Sequence, residues 1–296
     1  MSTLRHTARR SKAWIAGGVL AGVAGLAALV FGGCQMPGPK ATPEQIGALP
    51  RAMLDERVGV PRVSYLHAAP KGVDATTADE LPRVIYIHGT PGDATGWADF
   101  LVEPIAGLHA DSVDRAGFGR SLPSREETSF QMQAAAIAPL LVERGGQWPI
   151  VVGHSLGGPI AARLAADSPG KVRALVIVAG SLDPAMETGS FWQSVGTSGV
   201  VRAIMPRALD HSMGELDAAK RETTLLRPLL ASITCPIIVI HGTADDLVPY
   251  ANVDYIAREC VNAQRVEVVT LKDQNHFIPW ERPDVIRATV EKLRDE

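Results

Sequence analysis

The chain has 296 residues, 46% of them hydrophobic, with 29 Lys and Arg against 32 Asp and Glu, a formal charge of −3. From Cys34 onward 25 basic residues stand against 32 acidic ones, which leaves −7 and no basic footprint for nucleic acid. No group of His and Cys has the spacing of metal ligands, so a metal mechanism has no support.

Arg5, Arg9, Arg10 and Lys12 precede Ala13–Gly33, a stretch without a charge. A positive start and a long apolar run form a targeting or anchoring segment, and about 20 residues suffice to cross a bilayer. Its wealth of Ala and Gly keeps the hydrophobicity modest, so a cleaved signal and an uncleaved anchor both stand. The run ends Val30-Phe31-Gly32-Gly33-Cys34, which resembles a bacterial lipoprotein signal in which Cys34 is lipidated and becomes the new N-terminus. Phe31 departs from that pattern, where Leu, Val or Ile is usual. Arg9-Arg10 lacks the hydrophobic residues that a twin-arginine signal needs after it. Either reading keeps the positive end in the cytoplasm and places the remainder on the outer face of the membrane, periplasmic or on the cell envelope. Residues 1–34 are thus expected as a signal or anchor. Residues 35–58, with Pro37, Pro39, Pro43 and Pro50, are expected as a tether, and 59–296 as one domain large enough for a full core.

The buried run Arg83–Ile87 leads into His88-Gly89-Thr90-Pro91-Gly92, a loop able to aim the backbone N–H of Thr90 at a developing oxyanion. Trp97 and Phe100 follow as candidate pocket wall. Gln131–Glu143 reads as a helix. The apolar run Pro149–Val152 precedes Gly-His-Ser-Leu-Gly-Gly at 153–158, a serine on a sharp strand-to-helix turn. At such an elbow the neighbours two positions away crowd strand and helix, so Gly153 and Gly157 remove the clash, and the strain lifts Ser155 Oγ into reach of an imidazole. The N–H of Leu156 supplies a second oxyanion donor at the start of the helix Gly158–Ala166. After the strand Ala174–Ala179, about 55 residues separate Gly180 from Cys235, longer than a simple crossover. They read as a small helical cap, about 180–235, whose Phe191 and Trp192 are candidates for a substrate pocket. Then Pro236–Ile240 leads to His241-Gly242-Thr243-Ala244-Asp245-Asp246, and Val266–Thr270 leads to Asn275-His276-Phe277. Cys235 and Cys260 could pair in an oxidising compartment, but Cys235 lies beside a core strand, and two thiols are expected.

With these segments in order, the chain resembles the α/β-hydrolase fold over roughly 60–296. HGTPG (88–92), DRAGFGRS (114–121), GHSLGG (153–158), HGTADDLVP (241–249) and NHFIPWERP (275–283) carry the resemblance. It implies an α/β fold: a mostly parallel central sheet, helices on both faces and a small helical cap. It implies Ser155 as nucleophile, His276 as general base and acid, and Asp245 as the carboxylate that orients it. Asp246 and, less so, Asp183 compete for the acid. His88, His154 and His241 read as structural, and 114–121 as a turn that shapes the site.

The implied activity is a serine hydrolase acting on small carboxylic esters through an acyl-enzyme on Ser155, without a cofactor. Lipase, thioesterase, lactonase and C–C bond hydrolase readings share the triad. An aminopeptidase is disfavoured because the Trp common after the nucleophile of such relatives is absent, and Ser155 speaks against epoxide opening and halide removal. A perhydrolase and a catalytically idle binding module complete the alternatives. Oligomeric state is not legible.

Overall fold

The computed structural model describes residues 37–187 and 206–296. Eight strands form one sheet: β1 (Arg51–Met53), β2 (Ser64–Ala68), β3 (Arg83–Ile87), β4 (His109–Asp114), β5 (Ile150–His154), β6 (Ala174–Val178), β7 (Ile237–Gly242) and β8 (Val266–Leu271). Their order is β1-β2-β4-β3-β5-β6-β7-β8. β1 and β2 run antiparallel to their neighbours, and every pair from β4 to β8 is parallel. The mostly parallel sheet expected from the sequence is the one observed. β3, β5 and β6 are the apolar runs Arg83–Ile87, Ile150–His154 and Ala174–Val178, which is what burial of both faces selects.

Two cores lie on the two sides of the sheet. Ile85, Ile87, Val151, Leu175, Ile177 and Val239 point to one side; Val84, Tyr86, Ile150, Val152, Val176 and Ile240 point to the other, the two-residue alternation of a strand. Among the described residues five helices of eight or more residues frame them: α1 (Phe130–Ile137), α2 (Gly157–Asp167), α3 (Arg207–Leu226), α4 (Asn252–Glu259) and α5 (Pro283–Asp295). α1 is shorter than the sequence suggests. Pro139 has no N–H to give, so the helix tightens into a 3₁₀ turn over Ala138–Leu140 and stops. In α2 Pro159 sits in the first turn, where its missing N–H costs nothing.

The stretch 35–58 departs from the tether expected for it. Thr42 caps a short helix, Pro43–Gly47, with a reciprocal capping box, and Lys40 and Ala41 donate their N–H groups to Asp99. Arg51–Met53 then joins the sheet as β1, and Arg51 pairs with the fully buried Asp114. Proline content signalled extended backbone but not the sheet edge on which it lies. Of the segment expected as a cap, 188–205 lies outside the described residues, as do Phe191 and Trp192; its described part carries α3 and a 3₁₀ turn, Arg227–Ser232. The expected signal or anchor and Cys34 also lie outside them. Among the described residues no helix is long and apolar enough to cross a membrane.

Candidate active site

Ser155 follows β5 immediately and adopts φ 53°, the left-handed region a non-glycine residue rarely enters. Its backbone N–H is held by Val178 O at 3.0 Å, and Gly158 N–H returns to Ser155 O at 2.9 Å, which closes the turn into α2. The glycines around it are required by contact. A Cβ on Gly157 would stand 2.4 Å from Ile87 O and 2.6 Å from His88 O; one on Gly153 would stand 2.3 Å from Gly157 O. Gly89 faces the nucleophile itself, since a Cβ there would meet Ser155 Cβ at 2.7 Å. The glycine-rich loop after β3 and the elbow after β5 therefore touch.

Asp245, just past β7, and His276, after β8, meet at the same C-terminal edge of the sheet. Asp245 Oδ2 lies 2.7 Å from His276 Nδ1, while its Oδ1 accepts the N–H groups of Leu247 at 2.9 Å and Val248 at 2.8 Å. Burial opposes the charge on this carboxyl, but hydrogen bonds from His241 and His276, the positive potential of His276 and the Val248 N–H outweigh it. Its pKa is held well below the usual carboxylate range. Its stabilising effect is complete above the unfolded value of about 4 and is lost as pH falls through the depressed one. Asp246 is exposed, and Asp183 spends its carboxylate on Ala185 N–H, so neither rival reaches His276.

The N–H groups of Thr90 and Leu156 have no acceptor among the described residues, as two oxyanion donors require. Ser155 Oγ has no hydrogen-bond partner among them either. Catalytic hydrogen bonds are often open until substrate is bound.

His154 links the two halves of the site. Its Nε2–H donates to the backbone O of His276 at 3.1 Å, its ring stands 4.9 Å from the His276 ring, and Trp280 meets it edge-on at 5.6 Å. His276, and with it the Asp245 that it bonds, is thereby packed on the residue that precedes Ser155. Trp97 is placed differently from the expectation. It is 2% exposed and stacks on Tyr86 at 4.9 Å and against Phe100 at 5.3 Å, so it is core, behind the site.

A family model described as the alpha/beta hydrolase fold matches residues 82–198, and one for the prolyl oligopeptidase family matches 148–292. A hydrolase from Pseudomonas aeruginosa superimposes with a TM-score of 0.62 at 20% identity, over 84% of this chain and all of that one. The chain has the α/β-hydrolase fold. A 2-hydroxy-6-oxononadienedioate/2-hydroxy-6-oxononatrienedioate hydrolase of Cupriavidus pinatubonensis is 25% identical over 76% of this hydrolase and 89% of its own length. An esterase of Mycobacterium tuberculosis is 40% identical over 99 residues, 33% of this chain and 32% of that protein. The dihydrolipoyllysine-residue acetyltransferase component of the Cupriavidus necator acetoin cleaving system is 36% identical over 118 residues, 40% of this chain. The matched region spans under a third of the length of these last two relatives.

Sequence motifs left out several side chains that this α/β-hydrolase brings to the site. Arg115, Ser212 and Trp280 touch the loops around Ser155 and His276, and Glu215 reaches them through Arg115, yet none lies in a motif position with a recognised role. Only Arg115 and Trp280 fall inside the quoted segments.

His154 also gives the fold a measurable pH response. Burial, and next the neighbouring His276, push its pKa down to about 3. Below about pH 6.5 the unfolded chain takes up a proton that folded His154 refuses. Its share of stability is therefore intact above pH 6.5 and falls as pH drops towards 3, by up to about 1.4 kcal/mol per pH unit. His154→Gln is expected to make stability against pH shallower by about 1 kcal/mol per unit in urea unfolding between pH 6.5 and 5. Parallel curves for the two proteins would contradict the neutral imidazole.

Proposed function

We propose that this α/β-hydrolase cleaves small carboxylic esters through an acyl-enzyme on Ser155. The observation that carries the reading is the buried Asp245–His276 pair packed on His154, the residue before a serine in left-handed backbone, with two N–H groups on the adjoining loops that lack acceptors among the described residues. Ser155 Oγ attacks the ester carbonyl carbon as His276 Nε2 takes its proton, and the carbonyl oxygen becomes an anion facing Thr90 and Leu156 N–H. Collapse breaks the C–O bond, and the alcohol leaves with the proton from His276. A water gives a proton to His276 and attacks the acyl carbon; Ser155 then leaves with that proton and the carboxylic acid departs. Asp245, acceptor-only while ionised, keeps the Nδ1 proton in place so that Nε2 is the basic nitrogen. No cofactor enters these steps.

Fluorophosphonate labelling and a series of p-nitrophenyl esters of rising chain length test this. Labelling confined to Ser155 with turnover of short or medium esters is expected; neither would sink the reading. A second reading, C–C bond hydrolysis, draws on the Cupriavidus pinatubonensis relative, whose similarity runs over most of both chains. It predicts turnover of a 2-hydroxy-6-oxo-dienoate in preference to any ester. The sequence Val30–Cys34 further supports a tether to the outer face of a bacterial membrane. In that case Cys34→Ala should abolish incorporation of labelled palmitate; unchanged incorporation would remove the lipid.

A further inference from the structure

The peptide group between Gly89 and Thr90 carries at one end the N–H proposed to meet the oxyanion and at the other the carbonyl of Gly89. It is a trans peptide, so the two point in opposite directions, and whatever holds the carbonyl decides where the N–H aims. Two donors hold it: Arg115 Nη2 at 2.9 Å and His88 Nδ1 at 2.7 Å. His88 Nε2 in turn accepts the N–H of Arg115 at 3.1 Å, an arrangement that puts the imidazole proton on Nδ1. We propose that Arg115, clamped by Glu215 from helix α3, is the positioning residue of the oxyanion hole. This rests on Ser155 being the nucleophile.

The guanidinium is fully buried, and everything around it fixes its plane. Glu215 takes Nη1 on Oε1 and Nη2 on Oε2, the latter at 2.9 Å. Gln133 of α1 accepts Nη1 at 2.7 Å, then donates its own Nε2 to Glu215 Oε1 at 2.7 Å and to Glu127 O at 2.8 Å. The Phe118 ring lies 4.7 Å from the guanidinium carbon. A bidentate fork of this kind can bridge carboxylate and carbonyl together, which an ammonium does poorly. Stability alone does not explain it, because a buried ion pair gains little over apolar residues of the same volume. The same helix holds the other end of the peptide. Ser212, one turn before Glu215, accepts Thr90 Oγ1–H at 2.9 Å and donates to Ala208 O at 2.6 Å. His211, next to it, bonds Gly117 O at 2.9 Å on the loop that carries Arg115. With the carbonyl released, the peptide is free to rotate and offer oxygen, not N–H, to the anion. Such a defect weakens transition-state stabilisation and leaves substrate binding in place.

Arg115→Lys and the double variant Arg115→Met with Glu215→Met separate these effects; the second removes both buried charges together and so avoids an orphaned one. With an ester that the full-length protein hydrolyses, both are expected to lose about 10- to 100-fold in kcat with KM within about threefold, since one mis-aimed oxyanion donor costs in that range or more. Affinity for an alkyl boronic acid, which forms a tetrahedral anion on Ser155, should fall in parallel with kcat/KM. Arg115→Ala should regain part of its kcat in added guanidinium. Either variant unfolding cooperatively, with kcat unchanged or with its loss confined to KM, would overturn the proposal. A wild-type protein that fluorophosphonate does not label would overturn the nucleophile reading, and this inference with it; a labelled, active wild type whose variants match it overturns the inference alone.

Discussion

Ser155→Ala is expected to lower kcat for ester hydrolysis by on the order of 10⁵- to 10⁶-fold, the loss seen when the nucleophile of such a unit is removed. The fold should survive. Alanine keeps the Cβ that already stands at φ 53°, and the missing Oγ bonds nothing among the described residues, so thermal unfolding should shift little. The elbow is built by its neighbours: Gly153 and Gly157 against backbone oxygens, and Ser155 N–H on Val178 O. Rate and stability should therefore separate cleanly in this one substitution. Initial rates with p-nitrophenyl esters beside a melting curve measure both, and residual activity equal to the wild type would take Ser155 out of the chemistry.

Asp245→Asn should cost about 10⁴-fold in kcat, and for a different reason. The amide oxygen can still accept from Leu247 and Val248, so the loop after β7 keeps its shape. Its NH₂, however, now faces His276 Nδ1, which answers by becoming the acceptor and moving its proton to Nε2. That nitrogen can no longer take a proton from Ser155. Asp246→Asn, at the exposed neighbour, should stay within about twofold of wild type. Equal losses at the two positions would argue for a general charge effect and against an orienting carboxylate.

The choice between those two aspartates could be made from sequence because the resemblance to α/β-hydrolases fixes it locally, through the spacing from Gly242 and to Val248-Pro249. The elbow glycines were legible for the same reason, since each clash they avoid lies within a few residues or on the adjacent strand. What escaped depends on distant packing. Glu215 sits in a 20-residue helix with a charged face, where a carboxylate ordinarily meets water; only its placement against Arg115, a hundred positions away, buries it. Trp97 carries no sign of whether it lines a pocket or stacks on Tyr86 of β3, because both demand an apolar ring. The end of α1 was legible in principle, at Pro139, but the apolar residues after it continue the helical appearance past the break.

The narrow strand β1 has a practical consequence for anyone trimming this chain. A fragment begun at residue 59, where the sequence seems to start its domain, would lack Arg51, the cation that meets Asp114 in the interior. Asp114 ties Ala94 N–H at 2.8 Å and Arg120 N–H at 3.0 Å, so it holds the loop beyond the glycine-rich turn to the loop that carries Arg115. Leaving that carboxylate without its partner would forfeit up to about 3 kcal/mol, a large share of an ordinary domain's stability. Such a fragment would look like a failed enzyme when it had only lost a hem.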